Sequence, residues 1–148
     1  MVDILHKIGV KSQSKDAAYK ALATREGLSG WWTNDVEGDG KVGSVLHFHF
    51  GTRGFIDMKV AALDPGKRVL WEVVDGPDVW IGTEVSFDLR QDGDYTVVLF
   101  KHQGWREPSE FMHHCSTKWA TFLMGMKSLV ETGKANPFPN DIKVAEFD

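Results

Sequence analysis

Apolar and polar residues alternate along the middle of the chain. In residues 80–90, Val85, Phe87 and Leu89 lie two positions apart, and polar or charged residues fill the gaps. Because successive side chains of a strand point to opposite faces, this pattern predicts a strand with one buried and one solvated face. Four further runs have strand character, at residues 41–50, 55–63, 67–74 and 94–102. The turn signals GTRG, DPG, DGPD and QDGD separate the runs, so we expect an antiparallel meander.

The alternation also assigns the side chains that face the interior. On this basis we expect the following residues to point inward: Leu46, Phe48, Phe50, Ile56, Met58, Val60, Val69, Trp71 and Val73. His47 and His49 then lie on the outer face, on either side of Phe48. Such a sheet needs one long apolar element to cover its inner face.

The segment after Pro108 has the pattern of that covering element. Apolar residues recur there every three or four positions, which is typical of an amphipathic helix: Met112, Cys115, Trp119, Phe122, Leu123, Met126, Leu129 and Val130. Gly133 stands where the helix should end. The last residues, 135–148, contain two prolines and predict an irregular tail.

The N-terminal part predicts a strand at residues 4–10 and then two short helices. Ser12 or Ser14 is suited to cap the first helix, and Gly27 separates it from a helical turn that ends in Trp31 and Trp32. We therefore predict one α+β domain over residues 1–148, with a curved antiparallel sheet of about six strands wrapped around a long C-terminal helix. A bent sheet cannot contact a straight helix along its whole length, so a cavity is expected between them.

Composition excludes several classes of function. The chain has 17 basic and 21 acidic residues and a net charge of −4, without the basic runs that bind nucleic acid. No apolar run reaches the roughly 20 residues needed to span a membrane. The single cysteine, Cys115, and the absence of a signal-peptide pattern predict a cytoplasmic protein. Six tryptophans and nine phenylalanines make the chain rich in aromatic side chains.

Four segments together resemble one known family: YKALATREGLSGWWT, KVGSVLHFHF, FKHQGW and STKWATFLMGMKSLVETGKANPFP. Over residues 3–140 the chain is similar to the activator of heat-shock protein ATPase homologue (AHSA-type) family of the START-like, or Bet v-like, helix-grip (SRPBCC) superfamily. The resemblance implies the helix-grip fold. Its superfamily includes lipid carriers, cyclases and aromatases, hormone receptors and co-chaperone domains, so the fold alone leaves the activity open. Ser44 departs from the pattern, since many relatives carry a glycine there.

The sequence predicts a ligand site formed by the inward aromatic residues, with one polar contact from a histidine. The predicted ligand-binding residues are Trp31, Trp32, Phe48, Met58, Trp71, Phe87, His102 and Trp119. One residue of the Trp31–Trp32 pair should face the cavity, and the pattern does not indicate which. His102 ends a strand and resembles a histidine that recurs at this point in the family, where a structural hydrogen bond is the favoured role.

Sequence motifs give little support for catalysis or metal binding. His47 and His49 share a strand face but point outward, and His113 and His114 are expected to be surface or cap residues, so we predict no metal site. No nucleophile–base–carboxylate arrangement is present, and no catalytic residue or cofactor is predicted.

Three functions remain open at this stage. The first is binding of a small hydrophobic or aromatic molecule in the cavity. The second is a cyclase-like or hydratase-like enzyme that uses His102, with Tyr95 or Glu110. The third is a co-chaperone or other interaction domain, although the chain has no counterpart of the co-chaperone's separate N-terminal domain, which makes a chaperone partner the least favoured. A homodimer is also kept open.

Overall fold

The computed structural model describes all 148 residues, which form seven strands and three α-helices. In chain order these are β1 (Val2–Lys11), α1 (Lys15–Ala23), α2 (Arg25–Trp31), β2 (Asp35–Glu37), β3 (Val45–His49), β4 (Phe55–Asp64), β5 (Arg68–Asp75), β6 (Glu84–Asp92), β7 (Tyr95–Trp105) and α3 (Glu110–Thr132). A short 3-10 turn at Gly51–Arg53 connects β3 to β4.

All seven strands belong to one antiparallel sheet in the order β1-β7-β6-β5-β4-β3-β2. The predicted α+β helix-grip fold is therefore confirmed. The sheet has one strand more than the expected six, because residues Asp35–Glu37 pair with His47–His49 at the edge. Three residues are too few for an alternating pattern to be recognised in a sequence.

The inward face of the sheet carries the residues that alternation assigned to it. Ile56, Met58 and Val60 of β4 are buried, as are Trp71 of β5 and Phe87 of β6. Two register shifts between β4 and β5, near Met58 and Val60, mark irregularities of the kind that bend strands. The strands thus curve around a single apolar core.

Helix α3 crosses this concave face. It begins at Ser109, whose side chain accepts a hydrogen bond from the backbone N–H of Met112, and it ends at Gly133, whose φ of 82° is the left-handed conformation that glycine adopts readily. Trp119 and Met126 are among its buried residues. The predicted position of the helix and its glycine end are both confirmed.

Helices α1 and α2 form the predicted pair of short helices. Ser14 caps α1, and Thr24 both ends α1 and caps α2 through its side chain, which accepts from the N–H of Gly27. Gly27 has to be small, since a Cβ atom there would lie 2.6 Å from the Cα of Ala21. The two helices therefore pack closely and deliver Trp31 and Trp32 to the sheet.

Residues 135–148, which we call the C-terminal tail, contain no helix or extended strand, but they contact the body of the protein. Phe138 bridges to Thr33, and its N–H donates to the Trp32 carbonyl at 2.8 Å. The tail thereby returns to the end of the sheet at which α2 finishes. None of the helices is both long and apolar enough to span a bilayer.

Candidate functional site

A partly open pocket of about 260 Å³ lies where the end of the sheet, the first half of α3 and the C-terminal tail meet. We call it the aromatic pocket, because most of its large side chains are aromatic. It is lined by Trp32, Phe50, Arg53, Gly54, Phe55, Ile56, Pro77, Trp80, Phe111, His114, Cys115, Lys118, Trp119, Phe122, Phe138, Asp141, Phe147 and Asp148. Its position between sheet and helix corresponds to the cavity that the sequence predicts.

Trp32, and not Trp31, contributes to this pocket. The ring of Trp32 lies 5.0 Å from that of Trp119 and 4.4 Å from that of Phe48, measured between centroids. Trp31 is fully buried, and its indole N–H donates to the Ala21 carbonyl at 2.7 Å. The last residue of a helix and its neighbour point in different directions, so one indole fixes α2 to α1 while the other reaches the pocket.

Four of the predicted ligand-binding residues lie behind the pocket wall instead of lining it. Phe48, Met58, Trp71 and Phe87 are each at most 1% exposed and belong to the same buried core cluster as Trp32. The ring of Trp71 packs against those of Trp32, Phe48 and Phe87. Of the eight residues predicted for the site, Trp32 and Trp119 line the pocket. The others form the packed core that supports these two indoles.

His102 is fully buried and takes part in a chain of hydrogen bonds. The indole N–H of Trp119 donates to Nδ1 of His102 at 3.1 Å, so the ring proton resides on Nε2, which donates to the Thr83 hydroxyl at 2.8 Å. Thr83 in turn donates to the Trp80 carbonyl at 2.5 Å. Burial lowers the pKa of His102 to about 3, so the imidazole is neutral and both of its nitrogens are engaged.

Cys115 and Trp80 form one wall of the pocket. Burial raises the pKa of the Cys115 thiol to about 12, and the nearby Trp80 N–H only partly opposes this effect. The thiol is therefore protonated at neutral pH and is a poor nucleophile. The Trp80 indole nitrogen is buried and has no hydrogen-bond partner in the protein.

Charged residues form the outer rim of the pocket. Lys118 on α3 forms ion pairs with Asp141 and with Asp148, the latter at 3.1 Å, and both aspartate side chains are at most 6% exposed. Burial acts to raise the pKa of Asp141, but hydrogen bonds from Lys118 and Lys143 outweigh it and hold the pKa below its usual value. The carboxylates thus remain ionised and attach the C-terminal tail to α3.

Sequence reasoning missed several residues of the pocket. Trp80 lies in the loop between β5 and β6, outside the strand that was predicted to begin there, and Phe138 and Phe147 belong to the tail. One sequence feature could have indicated these residues: like Trp31 and Trp32, they are large aromatic residues among turn-forming residues. Both His113 and His114 were expected to be surface or cap residues. His113 is exposed and its Nδ1 donates to the Ser109 carbonyl, whereas His114 lines the pocket.

The outer sheet face carries the two strand histidines, as the alternation predicts. His47 pairs with Asp57 through Nδ1 at 2.7 Å. His49 lies beside Asp35 and Glu37, with ligand atoms within 4.8 Å of one another, at an exposed edge of the sheet. Exposed acidic groups commonly cluster without a metal, and nothing else at this edge indicates one.

Several solved structures share this fold. The structure of the Aha1 dimer from Colwellia psychrerythraea is 46% identical in sequence, with a TM-score of 0.84 over 91% of this chain and 100% of that one. CalU16 from Micromonospora echinospora is 18% identical, with a TM-score of 0.73 over 91% of this chain and 77% of that one. SSP2350 from Staphylococcus saprophyticus is 14% identical, with a TM-score of 0.74 over 97% of this chain and 98% of that one. The last two likenesses concern the fold alone.

Comparison of the sequence with family models assigns the chain to a family. No curated protein matches the chain. The family model described as activator of Hsp90 ATPase homologue 1-like protein matches residues 13–131, which include both short helices, strands β2 to β7 and nearly all of α3. The chain therefore belongs to the activator of Hsp90 ATPase homologue 1-like family.

Proposed function

We propose that this protein binds a small aromatic or hydrophobic molecule in the aromatic pocket. The observation that carries the proposal is the pocket itself, an opening between sheet and helix in which Trp32, Trp119 and Phe122 present aromatic surface. Binding pockets are mostly apolar, with a few polar groups that orient the ligand, and this composition fits that description. The superfamily that the chain resembles includes carriers and cyclases that act on hydrophobic molecules, which agrees with the proposal.

The dimensions of the pocket restrict the ligand. Its volume of about 260 Å³ falls just below the roughly 300–1,000 Å³ of typical ligand pockets. A molecule of one or two fused rings suits this space better than a long acyl chain. Several rings around the pocket meet edge to face or at a tilt, as Phe50 and Phe138 do at 5.4 Å, so a flat ligand would find aromatic partners on more than one side.

The states of His102 and Cys115 favour binding over catalysis. His102 is excluded from the pocket wall, and its two nitrogens are already bonded. Cys115 reaches the wall as a protonated thiol. A general base or an activated nucleophile has to reach the substrate in its reactive form, and these two side chains do not meet that condition.

Calorimetric titration with naphthalene tests the proposal. We expect a dissociation constant of tens of micromolar or lower, about −6 to −8 kcal/mol, from apolar burial. A Cys115→Leu variant should weaken binding at least severalfold, because the larger side chain enters the pocket. Thr117→Leu adds a similar side chain at an exposed position of the same helix and serves as the control. An absence of naphthalene binding by the wild-type protein would refute the proposal.

Self-association is a second candidate function, and one exposed surface favours it. Leu5 of β1 is 63% exposed and Leu99 of the neighbouring β7 is 39% exposed, both on the outer face of the sheet. The Colwellia psychrerythraea relative was solved as a dimer. Sedimentation equilibrium should show a dimer that Leu5→Lys weakens, whereas a monomer at all concentrations would exclude this candidate.

A further inference from the structure

Buried nitrogens without partners are concentrated at one end of the protein. Three buried side-chain nitrogens lack a hydrogen-bond partner within the protein: Trp80 Nε1, Trp105 Nε1 and His114 Nδ1. Trp80 and His114 line the aromatic pocket, whereas Trp105 does not. Buried polar groups almost always have partners, and each exception needs an explanation.

Of the two pocket residues, Trp80 is the stronger candidate for a hydrogen bond to a ligand. Its side chain is 6% exposed, and it is held in place by Trp119, whose ring stacks on it at 5.9 Å, and by His102 at 4.5 Å. Its indole N–H can only donate, and the neighbouring Cys115 thiol is at most a weak acceptor for it. A rigid donor at the wall of an apolar pocket is suited to an oxygen atom of a ligand.

The charges at the rim indicate which kind of oxygen fits. Lys118 is already bound by Asp141 and Asp148 and by the Ile142 carbonyl, so its charge is neutralised. The other cation that lines the pocket, Arg53, is exposed at the rim and donates to the Phe147 carbonyl. A carboxylate ligand would therefore lose its hydration without a buried cation to pair with it, and would lie near two carboxylates, which disfavours it. A neutral oxygen carries no such penalty, and a hydroxyl can both accept from Trp80 and donate to a nitrogen such as that of His114.

We infer that the pocket selects an aromatic ligand of the phenol class, whose neutral oxygen accepts a hydrogen bond from the indole N–H of Trp80. This inference rests on the proposed binding function and specifies its ligand. The aromatic part of the ligand contacts Trp32 and Trp119, and the oxygen points toward the wall formed by Trp80, Cys115 and His114.

Three probes of similar size test the inference by calorimetry: 2-methylnaphthalene, 2-naphthol and 2-naphthoate. In the wild-type protein 2-naphthol should bind more tightly than the other two. Replacement of Trp80 with Phe removes the donor and keeps an aromatic ring, so the preference for 2-naphthol over 2-methylnaphthalene should fall about fivefold. The matched control is Trp105→Phe, which removes another unpartnered N–H, from a ring that packs against Trp80 but does not line the pocket, and should leave the preference unchanged.

A spectroscopic measurement on the wild-type protein covers the case in which Trp80→Phe does not fold. In a ¹H–¹⁵N spectrum, 2-naphthol should move one indole N–H resonance downfield, and 2-methylnaphthalene should not. Equal affinities for these two probes together with unmoved indole resonances would overturn the inference but leave the proposed function standing. Tightest binding of 2-naphthoate would overturn the choice of a neutral oxygen. Binding of none of the three probes would overturn both the inference and the proposed function.

Discussion

Trp119 on α3 donates a hydrogen bond from its indole nitrogen to Nδ1 of His102 on β7, at a distance of 3.1 Å, and both side chains are buried. The bond joins the long helix to β7, the strand next to the β1 edge of the sheet. Because Thr83 occupies the other ring nitrogen, His102 links three separate segments of the chain. The strand-end histidine thus has a structural role in this protein.

Replacement of His102 with Ala should destabilise the protein by about 1–3 kcal/mol, because the buried Trp119 N–H loses its acceptor and the Thr83 hydroxyl oxygen loses its donor. Urea unfolding followed by circular dichroism measures the effect. His49→Ala, on the outer face of the sheet where the histidine side chain makes no hydrogen bond, should change stability by no more than about 0.5 kcal/mol. Equal midpoints for the two variants would contradict the structural role of His102.

The same histidine should make stability depend on pH. Its pKa is about 3 in the folded state and close to 6.5 when the chain unfolds, so between these values the unfolded state binds one more proton than the folded state. Stability due to this group is therefore complete above pH 6.5 and is lost as the pH falls toward 3, by about 1.4 kcal/mol per pH unit.

The pH range from 5 to 6.5 suits a test of this effect, since ordinary carboxyl groups titrate lower and a His102 variant retains the other five histidines. Over that range the wild-type protein should lose roughly 2 kcal/mol. His102→Gln retains a donor and an acceptor but does not titrate, so its unfolding free energy should change far less over the same range. A slope as steep in His102→Gln as in the wild-type protein would assign the pH dependence to another group.

The two adjacent tryptophans should respond differently to the same substitution. Trp32→Phe shrinks a wall of the pocket and should weaken naphthalene binding severalfold with a modest loss of stability. Trp31→Phe leaves the Ala21 carbonyl without its indole donor and should cost about 1–3 kcal/mol of stability, with little change in binding. Calorimetry and urea unfolding on both variants separate these effects. Weaker binding in Trp31→Phe than in Trp32→Phe would reverse the assignment.

The sequence predicted which side chains of the strands and of α3 point inward better than it predicted the position of the pocket. Alternation in β4 correctly placed Ile56, Met58 and Val60 on the inner side, and the three-to-four spacing in α3 placed Trp119 there too. Periodicity tells which way a side chain points but not how far along the curved sheet the helix departs from it. Phe48 therefore lies in packed core, although it has the same orientation as Ile56, which lines the pocket.

The tail illustrates a second limit of the sequence patterns. Phe138 and Phe147 line the pocket, but they stand among prolines and polar residues without any periodicity. Their placement depends on long-range contacts, such as that between Lys118 and Asp141, which lie 23 residues apart. No local pattern indicates such a pairing.

Lys118 holds the C-terminal tail against the pocket. Besides its two ion pairs it donates to the Ile142 carbonyl at 2.6 Å, and Asp148 also accepts from the N–H of Val144 at 2.6 Å. Arg53, from the turn between β3 and β4, donates to the carbonyl of Phe147. These contacts keep Phe138 and Phe147 in the pocket wall, so the retention of a ligand should depend on Lys118.

Lys118→Met should therefore release the tail and shorten the residence time of a bound ligand. The substitution leaves two buried carboxylates without their cation, which costs about 3 kcal/mol in buried pairs, and detachment of the tail relieves that cost by exposing them to water. We expect faster tryptic cleavage after Lys134 and a dissociation rate of naphthalene that rises severalfold in stopped-flow fluorescence. Lys127→Met is the matched control, because Lys127 is on the same helix and pairs with Glu131, away from the pocket. If both variants kept the wild-type dissociation rate, the tail would be a passive covering and ligands would leave by another route.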